Sequence, residues 1–226
     1  MTWLAAHPAW GRQAFGVVVV AGWLTLLALA ALVVRRRWSH QPEWSRKLVH
    51  IGGGAVIPLA WATGIDRWLA LGAAAVITLL AAINHRQRVL PAIEDVGRDS
   101  FGTVAYGLSI TLLLAWLWPE RADAVCAGVL VMALGDGLAG LVGPLVPSPS
   151  WRVLGERRSL AGTGTMAAAS WIVLMLLTLA QQAPAPSPLM LVGMAGTATA
   201  LEQVALLGLD NLTVPLVVAA LWRFSC

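Results

Sequence analysis

Apolar segments of membrane-spanning length, set end to end with short polar breaks, constrain this chain more than any other feature. They lie near residues 15–34, 48–63, 67–84, 101–118, 122–146, 165–180, 189–207 and 213–224. A bilayer core of about 30 Å takes roughly 20 apolar residues as a helix, and lipid offers the backbone no hydrogen-bond partners. The eighth segment is short for a crossing, so it either stays half-buried or joins the seventh as a broken helix. The expected fold is all-α: a polytopic integral membrane bundle of seven or eight segments, forming a single membrane domain over residues 1–226. Only 12% of the residues are charged, against about 25% in a soluble domain, which leaves no room for a separate soluble unit. The first segment ends in Arg35-Arg36-Arg37, whereas a cleavable leader carries its charge before the apolar run; this segment reads as retained.

Loop charges give an orientation. Loops 35–47, 85–100 and 147–164 hold 11 of the 15 Lys and Arg residues. With an extracytoplasmic N-terminus and one crossing per segment, all three fall on one side, which the positive-inside rule makes cytoplasmic. The 208–212 turn, with Asp210 and Asn211, lands on that side too. The net charge of +4 is thus a matter of topology and implies no nucleic-acid partner. Most of the tryptophans lie near segment ends, where an amphipathic ring anchors at the interface. Cys126 and Cys226 have neither metal-ligand spacing nor a partner framework.

Polar residues interrupt the apolar phase at a few places, all assigned to the same face. An acid at membrane depth costs roughly 2.5–3.5 kcal/mol on insertion scales, so it either marks a site, a metal ligand here, or is paired structurally with an Arg or Lys inside the bundle. Asp136 is such an acid, followed by Gly137, Gly140 and Gly143, which either admit a ligand or form a packing face. A basic loop follows with Arg157, Arg158 and Ser159, then Gly162 and Thr163 just before a helix expected at about Thr165; hydroxyls and helix amides suit phosphate oxygens. No P-loop pattern occurs. Lys47 and His50 share a face at the start of the second segment, where they serve topology and packing or bind an anion and move a proton. Arg98 crowds a helix entrance with Ser100 and Thr103, a second anion-binding arrangement or a plain capped loop. Glu202 and Asp210 add two carboxylates on the active face, suited to a metal or to a base, or else to a helix break.

Taken in order, Arg46-Lys47-Leu48-Val49-His50, the Gly135–Gly143 run, Arg158-Ser159-Leu160-Ala161-Gly162-Thr163, and Glu202 with Asp210-Asn211-Leu212-Thr213-Val214-Pro215 resemble the phytol kinase branch of the polyprenol kinase family. Dolichol kinases and CTP-dependent diacylglycerol kinases are relatives in that family. The likeness covers about residues 44–220. It implies CTP-dependent phosphorylation of an isoprenoid alcohol, assisted by Mg²⁺, in the membrane. Dolichol kinases carry DxxAxxxGxxxG, then a basic pair, a hydroxyl residue and Glu-Gly. Here Asp136, Ala139 and Gly143 match, while Pro147 replaces the last Gly. Arg157, Arg158 and Ser159 match the pair and hydroxyl, and Ala161 replaces the Glu before Gly162. These departures resemble the phytol kinase pattern.

The expected site follows. Asp136 holds Mg²⁺ with Glu202 or Asp210. Arg157, Arg158, Ser159, Gly162 and Thr163, with Gly137, Gly140 and Gly143, receive the triphosphate. Lys47, His50 and Arg98 line the opposite wall, and Asp210 or Asp136 takes the hydroxyl proton. The partners are a lipid alcohol and a nucleotide. A CTP-dependent dolichol or diacylglycerol kinase, or a CDP-lipid cytidylyltransferase, would use similar groups. An ion-coupled transporter would use Asp136 and Glu202 as a pathway but more often shows paired interrupted helices, which are not evident here.

Overall fold

The computed structural model describes residues 9–87, 101–181 and 186–225. It is a helical bundle: α1 (Ala9–Arg37), α2 (Pro42–Gly54), α3 (Val56–Thr63), α4 (Arg67–Gln87), α5 (Gly102–Leu117), α6 (Ala122–Leu130), α7 (Gly137–Leu145), α8 (Leu160–Ala180), α9 (Pro188–Val204) and α10 (Asp210–Ser225). A π-helical turn, Val131–Asp136, fuses α6 and α7 into one central helix. The fold is the expected all-α membrane bundle. Among the described residues, four helices are long and apolar enough to cross a membrane: Trp10–Arg37, Arg67–Gln87, Ala122–Leu145 and Leu160–Ala180.

The central helix organises the rest. Of its most apolar stretch 61% is buried, against 11% for α1 and 6% for α4, so the first is the core and the other two form an outer wall. Ala124, Val125, Ala127, Val129 and Met132 are wholly enclosed. Lipid gives no hydrophobic drive between helices, so close backbone approach by small residues does the packing. At Gly135 an added Cβ would come within 2.6 Å of the Met166 sulfur on α8, and at Gly128 within 3.0 Å of Ala219 on α10. Glycine therefore sets the depth to which these helices nest.

Local chemistry explains where the helices differ from the expected segments. The second begins at Pro42, since proline suits the first turn of a helix, and so Arg46 and Lys47 stand inside a helix rather than a loop. It breaks at Ala55, where Pro58 lacks the N–H that would bond Gly54 and three glycines precede. Gly64 then ends α3 in the left-handed conformation, at φ 69°. The 147–164 stretch is only partly the expected loop. Ser150–Val153 and Glu156–Ser159 pair as an antiparallel hairpin, with Trp151 opposite Arg158 and Arg152 opposite Arg157. Its two-residue turn has positive φ at Leu154 (51°) and Gly155 (90°), the geometry whose twist matches paired strands. Helix α8 begins at Leu160, five residues before the expected start, because Ser159 caps it by accepting from Gly162 N at 3.2 Å. The last two segments are separate helices, joined by a 205–209 turn with positive φ at Leu207 and Gly208.

Candidate active site

Asp136 ends the π turn, and that turn defines its surroundings. A π turn replaces i→i−4 bonds with longer ones, and such turns occur often at functional sites. Here the Met132 carbonyl within it meets His50 Nε2 at 3.3 Å. His50 Nε2 also lies 3.4 Å from Asp136 Oδ2. Lys47, one turn earlier on α2, bonds the same Oδ2 at 2.6 Å and the Asp136 carbonyl at 3.2 Å. The recess that allows this is glycine. A Cβ on Gly140 would stand 2.7 Å from Lys47 Nζ, and one on Gly137 would strike Ile51 and approach His50 at 3.5 Å. These two glycines seat α2 against the central helix.

Two further acids converge from the other side. Glu202, near the C-terminus of α9, and Asp210, the first residue of α10, are both buried. One oxygen from each of Asp136, Glu202 and Asp210 lies within 4.8 Å of the others. Each acid is held differently. Glu202 pairs with the Arg158 guanidinium and accepts from Gln203 Nε2 at 2.7 Å. Among the described residues Asp210 accepts from Asn211, at 3.0 Å from its amide and 3.1 Å from its side chain. Lys47 and Arg158 thus bring two positive charges to three carboxylates, and formally one negative charge is left over.

The hairpin divides the basic pair. Neighbouring strand residues point to opposite faces. Arg158 turns inward to Glu202 and donates to Ala205 O at 3.2 Å, while its Nε is buried without a partner among the described residues. Arg157 turns outward, exposed, and reaches Ser150 Oγ at 3.3 Å. The hydroxyls are also engaged. Ser159 Oγ donates to Gly143 O at 3.5 Å, and Thr163 Oγ1 accepts from Gln203 at 2.9 Å. The first amides of α8 are used by the chain itself: Leu160 N by Pro149 O at 2.9 Å, Ala161 N by Ser148 Oγ at 3.1 Å, and Gly162 N by Ser159. Gly143 and Gly162 pack against each other, and a Cβ on Gly143 would sit 3.4 Å from Gly162 Cα. In this structure these amides bond within the chain, and Arg158 turns toward the acids. Arg98 lies outside the described residues.

A cavity of about 540 Å³ opens on this cluster. Its polar end is lined by Lys47, His50, Asp136, Arg158 and Asp210. The remainder is apolar and runs between α1, α3, α4 and α5, past Val20, Leu24, Ile57, Ile77 and Ile110. Helices α1 and α4 both wall it yet scarcely touch each other among the described residues. Carboxylates and guanidinium at one end of an apolar slot are what a reaction between a charged and an oily substrate requires.

A phytol kinase of Synechocystis sp. is 37% identical over 213 residues, covering 93% of this chain and 90% of the relative. The chain belongs to the phytol kinase family. It is accordingly a lipid kinase embedded in the membrane. No family model and no solved structure matches the chain.

In this family member the structure adds residues that sequence patterns did not single out. Tyr106 lines the cavity and stacks on His50 at 4.6 Å between ring centres. Gln203 ties Glu202 to Thr163. Each had a signal: Tyr106 is the one tyrosine of the chain, set inside an apolar segment, and Gln203 is an uncharged polar neighbour of a buried acid.

Proposed function

We propose that the protein transfers the γ-phosphate of CTP to phytol or a closely related isoprenoid alcohol, with Mg²⁺, at the cytoplasmic surface. The observation that carries this reading is the continuity of the cavity, whose apolar slot runs without a break onto Asp136, Asp210 and Arg158. A lipid alcohol enters between α1 and α4 with its tail in the slot and its hydroxyl beside the carboxylates. The nucleotide meets it from the polar end. CTP is favoured by the partial match of Asp136, Ala139, Gly143, Arg157, Arg158 and Ser159 to the cytidine nucleotide pattern. The cytoplasmic side is favoured by the basic hairpin, with Arg152, Arg157 and Arg158, and by Arg35, Arg36 and Arg37 at the end of α1, just before the helix that carries Lys47.

The donor set fits a hard divalent ion: three carboxylates, all oxygen, closely spaced and short of one positive charge. Asp136 and Glu202 are the residues that would hold Mg²⁺, which neutralises charge on the transferring phosphoryl group when bound. Arg158, with its spare Nε, and Lys47 orient the phosphate oxygens from either side. Lys47 and His50 fix Asp136, and a carboxylate so engaged by an ammonium is a poor base. Among the described residues the hydrogen bonds to Asp210 come from the neutral amides of Asn211, and Asp210 accepts the proton of the alcohol. The alcohol oxygen then bonds to the γ-phosphorus, the bond from phosphorus to the bridging oxygen breaks, and CDP leaves with that electron pair.

The experiment presents the protein in lipid nanodiscs with phytol and, in turn, γ-labelled CTP, ATP, GTP and UTP. The expected outcome is labelled lipid phosphate fastest with CTP, with release of CDP. Equal or faster labelling from ATP would overturn the choice of donor. Release of pyrophosphate with cytidine joined to lipid would show a cytidylyltransferase instead.

A further inference from the structure

The apolar half of the cavity has a regular wall and a rigid floor. Along α4 the lining residues include Leu69, Ala70, Ala74, Ile77 and Ala81, the spacing of a single helix face. Alanine at most of these positions keeps the wall recessed along its length. From Leu69 at the far end to Ala81 beside the site, the helix covers about 18 Å, at about 5.4 Å per turn. One turn is close to the extended length of a five-carbon isoprene unit.

The floor is the α3–α4 turn at Ile65, which lines the cavity and is only 6% exposed. Its backbone is held on both sides. Ile65 N donates to Ala60 O at 3.0 Å, and Trp118 Nε1 donates to Ile65 O at 2.9 Å. The Gln13 side chain bridges the same turn to α1, donating to Gly64 O and accepting from Asp66 N, each at 3.0 Å. A fully buried tryptophan and a clamped turn do not yield easily to a longer tail.

We propose that α4 is a length gauge for the lipid alcohol, reading one isoprene unit per helical turn, with Ile65 as the stop. The gauge accommodates roughly three to four units between the carboxylates and the floor, at about 5.4 Å per turn. It rests on the reading that the slot holds the tail of the alcohol, hydroxyl toward Asp136 and Asp210. Ala70 faces the last unit of a twenty-carbon alcohol, and Ala74 the unit before it.

The test measures kcat/KM in nanodiscs for geraniol, farnesol, geranylgeraniol, geranylfarnesol and a long polyprenol. The chains are the wild type, Ala70→Leu, Ala74→Leu, Ile65→Ala and, as a control off the cavity wall, Ala75→Leu. In Ala70→Leu, geranylgeraniol is expected to lose at least tenfold relative to farnesol. In Ala74→Leu, farnesol is expected to lose as much relative to geraniol. Ile65→Ala, which removes atoms, should raise geranylfarnesol severalfold relative to geranylgeraniol, a gain that misfolding cannot produce. Ala75→Leu should keep the wild-type profile. An unchanged order of preference in the three wall and floor variants would overturn the gauge, as would equal use of the long polyprenol by the wild type. If the wild type phosphorylated none of the alcohols, the kinase reading itself would fail, which is a different result.

Discussion

At the scale of single residues, the three acids are not interchangeable, because each has a different partner. Asp136 faces Lys47 and His50, Glu202 faces Arg158, and Asp210 is hydrogen-bonded to Asn211. Asp210→Asn should therefore lower kcat by about 10²-fold or more while leaving KM for the nucleotide within a few-fold, the signature of a lost general base. Steady-state assays with phytol check it, and an unchanged kcat would move the base elsewhere. The two arginines separate as sharply. Arg158→Ala strands Glu202 in a buried position and should cost about 3–5 kcal/mol of stability, as well as raising KM for the nucleotide. Arg157→Ala, on the exposed face, should change both by little; thermal unfolding and kinetics on the two variants decide it. Gly140→Ala tests the seat of Lys47 without touching a charge. The new methyl would fall within 2.7 Å of Nζ, so the Lys47–Asp136 contact must open and activity should drop by about tenfold or more.

At the scale of elements, the features that place the site are those least visible in the sequence. The apolar segments were legible because spanning length and backbone satisfaction leave helices as the one solution. Asp136 was legible because an acid within such a segment has a cost that needs a purpose. The π turn that aims it was not, since Val131–Asp136 reads like any other apolar helix turn. The hairpin was hidden for a related reason: its turn is Leu154-Gly155, not the Asn-Gly or Asp-Gly that announces a tight hairpin. Missing it made Arg157 and Arg158 look like partners, whereas strand alternation sends them to opposite faces. It also set the start of α8 too late, and so counted amides as free that Pro149, Ser148 and Ser159 already occupy. The turn itself gives a test. Gly155, at φ 90°, tolerates no branched side chain, so Gly155→Val should strain the hairpin by about 1–3 kcal/mol. The expected outcome is a raised KM for the nucleotide with KM for the alcohol unchanged, because Arg158 rides on this element at the polar end of the cavity.

At the scale of the whole molecule, two kinds of helix divide the work. The central helix with α8, α9 and α10 is tightly nested and fixes the carboxylates, while α1 and α4 are outer walls that line the apolar part of the cavity. This division follows from chemistry in which one substrate is soluble and the other never leaves the bilayer. It also requires the hairpin and the 205–209 turn to share a compartment, because Arg158 touches both Glu202 and Ala205. Cysteines placed at Arg157 and Gly208 should react with an impermeant thiol reagent from the same side of sealed vesicles, and labelling from opposite sides would contradict the site. The most direct measurement of the central claim follows the γ-phosphate of labelled CTP in nanodiscs containing phytol, comparing the wild type with Asp136→Asn. The expected result is label in the lipid with matching CDP, and a rate at least about 10²-fold lower in the variant. Label absent from the lipid, or full transfer by Asp136→Asn, would contradict it.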